Sequence, residues 1–245
     1  MGKECLRRET DTLIRLHILV EGQTEETFVN TVLGPSLAKR MVFANAHRIT
    51  TGRKRGRRFR GGLVSWQHVA RDLELWMKED HGQDSWFTTL FDYYALPDDF
   101  PGYATLPTIG AANRIARLEA AMENDIAERL RGYPTAGQFI PYIQQHEFEA
   151  LLFSDPSAFA VAMPGEPSIV GQLMQIRARF GNPEDIDNGP ETAPSKRIAA
   201  LWPAYQKPID GLLVAQQIGL PVMRRECPGF HRWVTKLEAL SPRTY

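Results

Sequence analysis

Acidic side chains fall in three separated stretches of this sequence, and their types and spacing suit a site for a hard cation. Glu21 and Glu25 stand four residues apart, Asp92 is followed by Asp98 and Asp99, and Glu147 is followed by Glu149. Carboxylates gathered without basic partners repel one another and raise one another's pKa, and a divalent cation removes the conflict. Neither His nor Cys occurs in the first two stretches, so the donors are oxygens, which suit Mg²⁺ or Mn²⁺ better than zinc. Such an ion activates water and stabilises charge on a phosphoryl oxygen; two ions about 3.5–4 Å apart clamp both the attacking and the leaving oxygen. Each acid also has a plainer reading as a helix cap or a solvated loop charge. For Glu26, Asp98 and Glu149 taken singly the plainer reading is preferred, because each has a close acidic neighbour that can serve instead.

A second kind of chemistry is written in Arg53-Lys54-Arg55-Gly56-Arg57-Arg58-Phe59-Arg60, six cations in eight residues with no acid. Dense arginine suits phosphate oxygens, which it meets bidentately, and Phe59 offers a ring to an unpaired base. Arg53, Lys54, Arg55, Arg57, Arg58 and Arg60 are therefore the expected contacts to a polynucleotide backbone, against the alternative of a solvated loop. Lys196 opens a helical stretch and either supports charge on a phosphoryl group or is an ordinary exposed helix cation. Other chemistries find no residues. There is no GxxxxGK[ST] and no GxGxxG after a strand. The HExxH pattern that starts at His146 has Ala150 where its second His belongs, and no GxSxG elbow occurs. Cys5 and Cys227 form no CxxC pair, and His231 has no companion ligands.

The elements that must position these groups are legible from periodicity. Ile14, Leu16, Ile18 and Val20 alternate as a strand ending at Glu21. A helix is expected from Thr24 to about Lys39, interrupted at Gly34-Pro35, then a strand from Val42 to Ile49. Val69, Leu73, Trp76 and Met77 stripe a helix. Ser85 to Phe91 reads as a buried strand ending at Asp92, and Ile115, Leu118, Met122, Ile126 and Leu130 stripe the next helix. A fourth strand is expected over Gln138–Ile143, running into Glu147. Alternation of this kind predicts an α/β fold: a mainly parallel, four-stranded sheet flanked by helices, with chemistry at the carboxyl ends of the strands. All three acidic stretches fall at such ends. The chain divides by texture into an α/β core over residues 1–155 and a mostly helical region over 156–245 packed on it.

Composition sets the outer bounds. The chain has 245 residues, 43% of them hydrophobic and 24% charged, which excludes a disordered chain, a collagen-like fibre and a disulfide scaffold. Lys plus Arg number 29 and Asp plus Glu number 29, so any case for nucleic acid rests on the local patch rather than on net charge. No apolar run approaches the roughly 20 residues of a membrane span. The N-terminus lacks a signal-peptide core, so a cytoplasmic location is expected.

Glu21-Gly22-Gln23-Thr24-Glu25, with Asp92 after the third strand, resembles the Toprim (topoisomerase–primase) domain, in particular the EGxxE variant of OLD-family nucleases. Longer blocks resemble a bacterial domain-of-unknown-function family of the Toprim-like group: Phe91-Asp92-Tyr93-Tyr94, Asp99-Phe100-Pro101-Gly102, Gln145 to Leu152 and Pro190 to Arg197. The resemblance implies a Toprim-like core binding Mg²⁺ or Mn²⁺. Glu21 and Glu25 match the two glutamates of EGxxE, and Asp92 matches the first aspartate of a DxD pair. Position 94 is Tyr, so a second acid must come from Asp98 or Asp99 or be missing. Glu147 and Lys196 match a downstream acid and lysine. On this basis Glu21, Glu25, Asp92 and Lys196 are the expected catalytic residues, and Glu21, Glu25, Asp92, Asp98, Asp99 and Glu147 the expected metal ligands. The implied activity is that of a metal-dependent nuclease or related phosphodiester-processing enzyme acting on DNA or RNA. An ATPase partner in a bacterial (phage) defence system is implied by the same analogy, and homo-oligomerisation is left open. The alternative is a non-catalytic Toprim-like adaptor that binds an ATPase partner or nucleic acid.

Overall fold

The computed structural model describes residues 13–49, 65–108, 113–186 and 192–243; the basic stretch from Arg53 to Arg60 lies outside them. Strand β1 (Ile14–Val20) follows the alternation of its sequence, with Ile14, Leu16, Ile18 and Val20 all buried. The chain then turns into α1 (Gln23–Phe28), a π-helical turn (Val29–Leu33) and α2 (Gly34–Leu37). The interruption expected at Gly34-Pro35 is a change of pitch, not a break. A proline inside a helix has no N–H to donate and crowds the carbonyl one turn back. The wider π turn just before it relieves that crowding. Gly34 N–H donates to the Val29 carbonyl, five residues back, and a Cβ on Gly34 would come within 2.9 Å of the same oxygen.

Strand β2 (Val42–Arg48) runs parallel to β1, pairing Ile14 with Val42 and Val20 with Arg48. Helix α3 (Trp66–Glu79) buries Trp66, Val69, Ala70, Leu73 and Met77 along one stripe. Strand β3 (Ser85–Asp92), almost wholly buried, lies parallel on the other side of β1, and α4 (Arg114–Arg129) buries Leu118, Met122 and Ile126.

The fourth strand, expected as one run over Gln138–Ile143, is divided into β4 (Phe139–Ile140) and β5 (Ile143–Gln144), each parallel to β3. Pro141 explains the division, because it has no N–H for the ladder. Threonines of β3 bridge the gap. The Thr88 hydroxyl donates to the Ile140 carbonyl at 2.5 Å, while the Thr89 hydroxyl donates to the Tyr142 carbonyl and accepts from its N–H, both at 2.9 Å. The strand order is β2-β1-β3-β4, with β5 also beside β3.

The remainder is helical, as expected from its texture: 3-10 segments at Phe148–Ser154 and Pro156–Val161, α5 (Pro167–Arg177), α6 (Pro194–Leu201), a π-helical turn at Lys207–Gly211, α7 (Leu212–Ile218), α8 (Leu220–Glu226) and α9 (Pro228–Glu238). The sheet is covered on both faces. On one, Leu16, Ile18 and Val20 share a core with Phe28 and Leu33 and with Val214, Phe230 and Leu237 of the last helices. Trp233 of α9 donates its indole N–H to the Thr88 hydroxyl at 2.9 Å, tying that helix to β3. On the other face Leu19, Phe87 and Phe91 pack against α3 and α4. Each fully buried Leu, Val or Phe contributes roughly 1.5–3 kcal/mol by leaving water, so the carboxyl ends of β1 and β3 are anchored from both sides. Among the described residues no helix is long and apolar enough to cross a membrane.

Candidate functional site

Parallel pairing sets Val20 beside Leu90, so the residues that follow β1 and end β3 open at one edge of the sheet. Glu21 is the first residue past β1, and its Oε1 accepts the backbone N–H of Asp92 at 2.6 Å. Two acids 71 positions apart therefore meet at the sheet edge. Glu25 lies in the first turn of α1 and is buried. Gly22 leaves room for it: a Cβ there would sit 3.3 Å from Glu25 Oε2.

The third acidic stretch arrives from β5. His146 takes the left-handed conformation (φ 66°), Glu147 is extended, and the 3-10 segment from Phe148 begins at once. Glu147 turns its carboxylate to the start of α6, accepting the backbone N–H of Ser195 and, at 3.0 Å, its hydroxyl. The tight helical turn carries Glu149 into the interior, where it is 2% exposed. A lysine from far along the chain completes the group. Lys207 Nζ stands 3.0 Å from Glu25 Oε1, 3.3 Å from Asp92 Oδ2 and 3.2 Å from Glu149 Oε2. The resulting cleft, of about 450 Å³, is lined by these five carboxylates and Lys207, with Tyr94 and Pro208 also in its wall.

Among the described residues, five carboxylates and one ammonium line the cleft, a strongly unbalanced set. Burial raises Glu21 well above the usual carboxylate range, and the Asp92 charge adds to it, although the Asp92 N–H works the other way. Asp92 is pushed up to about 7 by burial, which outweighs the pull of Lys207. Glu149 reaches about 7 for the same reason. Glu147 is raised by burial against the hydrogen bonds from Ser195. Burial opposes the charge on Lys207, but Asp92, Glu149 and Glu25 together hold it well above an ordinary lysine. Asp92 Oδ1 is buried and finds no hydrogen-bond partner among the described residues. Glu149 Oε2 is within ion-pair reach of Lys207 but not aligned for a hydrogen bond. Unmet buried acceptors of this kind cost free energy, which a cation or a donor on a ligand would recover.

The donor set suits a hard cation, being all oxygen. Among the described residues, however, no three His, Cys, Asp or Glu side chains stand as a ready-made metal cluster. Among the described residues lining the cleft, Lys207 supplies the positive charge.

Of the residues expected from sequence, Glu21, Glu25, Asp92 and Glu147 are brought together. Asp98 is exposed and Asp99 lies outside the cleft lining. Asp99 instead caps α3, accepting from the Ser65 hydroxyl at 2.7 Å and from the N–H groups of Trp66 at 2.8 Å and Gln67 at 3.4 Å. Partial burial opposes its charge, but Ser65 and those N–H groups prevail and hold it below the usual aspartate range. Lys196 is exposed on α6 and does not line the cleft, although its neighbour Ser195 does.

Glu149 and Lys207 are the site residues that sequence reasoning missed. A spacing of two puts Glu147 and Glu149 on the same side of a strand but not of a helix, and only the immediate 3-10 turn carries Glu149 inward beside Lys207. Lys207 is marked only by Pro208, a usual first-turn residue of a helix, which says nothing of where the ammonium goes.

A protein-family model, described as "Domain of unknown function (DUF4276)", matches residues 20–238, a span that holds all five carboxylates and Lys207. No curated protein and no solved structure matches the chain.

Proposed function

The chain belongs to the DUF4276 family, and from its cleft we propose that it is a divalent-cation-dependent phosphodiester hydrolase of Toprim-like type, acting on nucleic acid. One observation carries the reading: Glu21 and Asp92 converge at the carboxyl edge of a parallel sheet, joined by a 2.6 Å hydrogen bond from the Asp92 N–H, with Glu25, Glu147 and Glu149 around them and, among the described residues, the Lys207 ammonium facing the cleft. The oxygen-only donors and the unpartnered Asp92 Oδ1 fit Mg²⁺ or Mn²⁺, which Glu21, Glu25 and Asp92 would hold. When bound, such an ion supplies an activated water and a counter-charge for a phosphoryl oxygen. The chain's own groups do the rest. Glu149, with a pKa of about 7, holds or releases a proton near neutral pH, as a general acid or base must. Glu147 is fixed in orientation by Ser195. Lys207 balances the carboxylates and offers its ammonium to the charge of a bound phosphodiester. The arginines of 53–60 would hold the polynucleotide backbone. The resemblance of the EGxxE run and the longer blocks supports the same reading, and it alone supports an ATPase partner and a place in bacterial defence.

A second reading is favoured by a specific observation. Lys207 is ion-paired to Glu25, Asp92 and Glu149 with no ready-made metal cluster among the described residues, which suits a non-catalytic subunit that binds nucleic acid or an ATPase without cutting. Incubation of the purified protein with plasmid and with RNA, in Mn²⁺, Mg²⁺ or EDTA, separates the two. Cleavage that needs the ion and disappears in folded Glu21→Ala and Asp92→Ala variants supports the hydrolase. Binding without cleavage under every condition supports the adaptor.

A further inference from the structure

We propose that the cleft takes single-stranded nucleic acid, one unstacked base of which lies on the ring of Tyr94. The inference rests on the hydrolase reading for the reaction, though its binding readout does not. Tyr94 stands two residues beyond Asp92, in the 3-10 turn Tyr93–Ala95, and lines the same cleft as the carboxylates. It is 41% exposed, whereas Phe91 and Asp92 just before it are buried.

The ring is backed. The His146 ring lies 5.4 Å from it, centre to centre, with the planes at 32°, and the Tyr93 ring lies at 5.7 Å. Tyr94 N–H donates to the His146 carbonyl at 3.1 Å, so the two rings are registered by the backbone. His146 itself is held in the left-handed region that side chains other than glycine rarely adopt. Such conformations persist where the surroundings over-determine them, and they cluster at ligand clamps.

An aromatic ring held at the mouth of a phosphate-handling cleft is a platform for a base face. Stacking of this kind is tolerant of sequence, because every base has such a face. A paired duplex keeps those faces inside its own stack and must extrude a base to offer one. A cleft of about 450 Å³ is also in the range of small-ligand sites, suited to a nucleotide rather than to a double helix.

The test uses the full chain with Tyr94→Ala and Tyr94→Trp variants, their folding checked by circular dichroism. The probes are a single-stranded oligonucleotide carrying 2-aminopurine, its blunt duplex, and bis(p-nitrophenyl) phosphate with Mn²⁺ as a diester without a base. Wild type and Tyr94→Trp should quench the 2-aminopurine on binding, and Tyr94→Ala should not. For cleavage of the single strand, Tyr94→Ala should raise KM about ten- to a hundred-fold and change kcat far less. Equal quenching and equal KM in Tyr94→Ala, or a duplex processed as readily as the single strand, would overturn the proposal. If wild type hydrolyses none of the three substrates but still quenches through Tyr94, the hydrolase reading falls and the stacking site stands. Hydrolysis of the single strand with no dependence on Tyr94 removes the stacking site and leaves the hydrolase reading in place.

Discussion

Replacing Lys207 with methionine keeps the unbranched stem, one heavy atom shorter, and removes the ammonium shared by Glu25, Asp92 and Glu149. At the observed separations of 3.0–3.3 Å and an effective dielectric constant near 20, each contact is worth about 5 kcal/mol of Coulomb energy. Much of that is cancelled by the cost of taking the ammonium out of water. Removing one partner of a buried ion pair typically costs about 3–5 kcal/mol, and that is the loss expected at pH 8. The loss should depend on pH, with a definite sign. Asp92 and Glu149 have folded-state pKa values of about 7, above the ordinary carboxylate range. The folded protein therefore binds more protons than the unfolded chain from about pH 4 to 7, and stability falls as pH rises through that window. Without Lys207 the pull that lowers both values is gone, so the window stretches above 7 and the fall continues further. At pH 5 both carboxyls are protonated with or without Lys207, and the two proteins should differ by no more than about 1–2 kcal/mol. Urea unfolding of wild type and Lys207→Met at pH 5 and pH 8, in EDTA, measures this directly. An equal loss at both pH values, or no loss at pH 8, would refute the reasoning.

Glu119 accepts the Ile143 N–H at 3.1 Å, and burial raises it to about 7 against that hydrogen bond. Its raised pKa makes it a drain on stability as pH climbs from about 4.5 to 7. Glu119→Gln keeps the acceptor and loses the charge, so at pH 8 it should gain about 1–3 kcal/mol and at pH 4 almost nothing, read from melts at the two pH values. Asp99→Ala removes the cap of α3 and should cost about 1 kcal/mol near neutral pH. Because Asp99 is depressed in the folded state, its contribution is present above the ordinary aspartate pKa and is lost as pH falls through the folded value. Denaturation curves of the variant and wild type should therefore converge in acid.

The strands carrying Glu21 and Asp92 were legible because burial on one or both faces leaves a plain mark: alternation in Ile14–Val20 and a continuous aromatic-rich run in Ser85–Asp92. Their carboxyl ends, and so two of the five acids, followed from that. Pro35 and Pro141 obey the same propensities with different outcomes. A π turn absorbs the first, while the second splits a strand whose halves the Thr88 and Thr89 hydroxyls bridge. Those compensations are contacts with other parts of the chain and carry no local signature. Asp99 shows the limit from another side: an acid near a strand end looked like a ligand, but its partner is the start of a helix more than thirty positions earlier. Glu149 and Lys207 were hidden because their meeting is tertiary, 58 positions apart along the chain and 3.2 Å apart in space. Those two leave the formal charge of the cleft where the other four carboxylates set it and add a buried ion pair at its centre.

If the carboxylates at the ends of β1 and β3 form one cation site, each must contribute to holding the ion. Titration of the wild-type protein with Mn²⁺, followed by calorimetry and by the electron spin resonance of the free ion, tests this most directly when repeated on Glu21→Gln and Asp92→Asn. The wild type should show a saturable site that weakens at least about ten-fold in either variant, the loss of one charged donor being worth about 1.4 kcal/mol or more. Binding unaffected by both substitutions, or no binding to the wild type at millimolar ion, would contradict it.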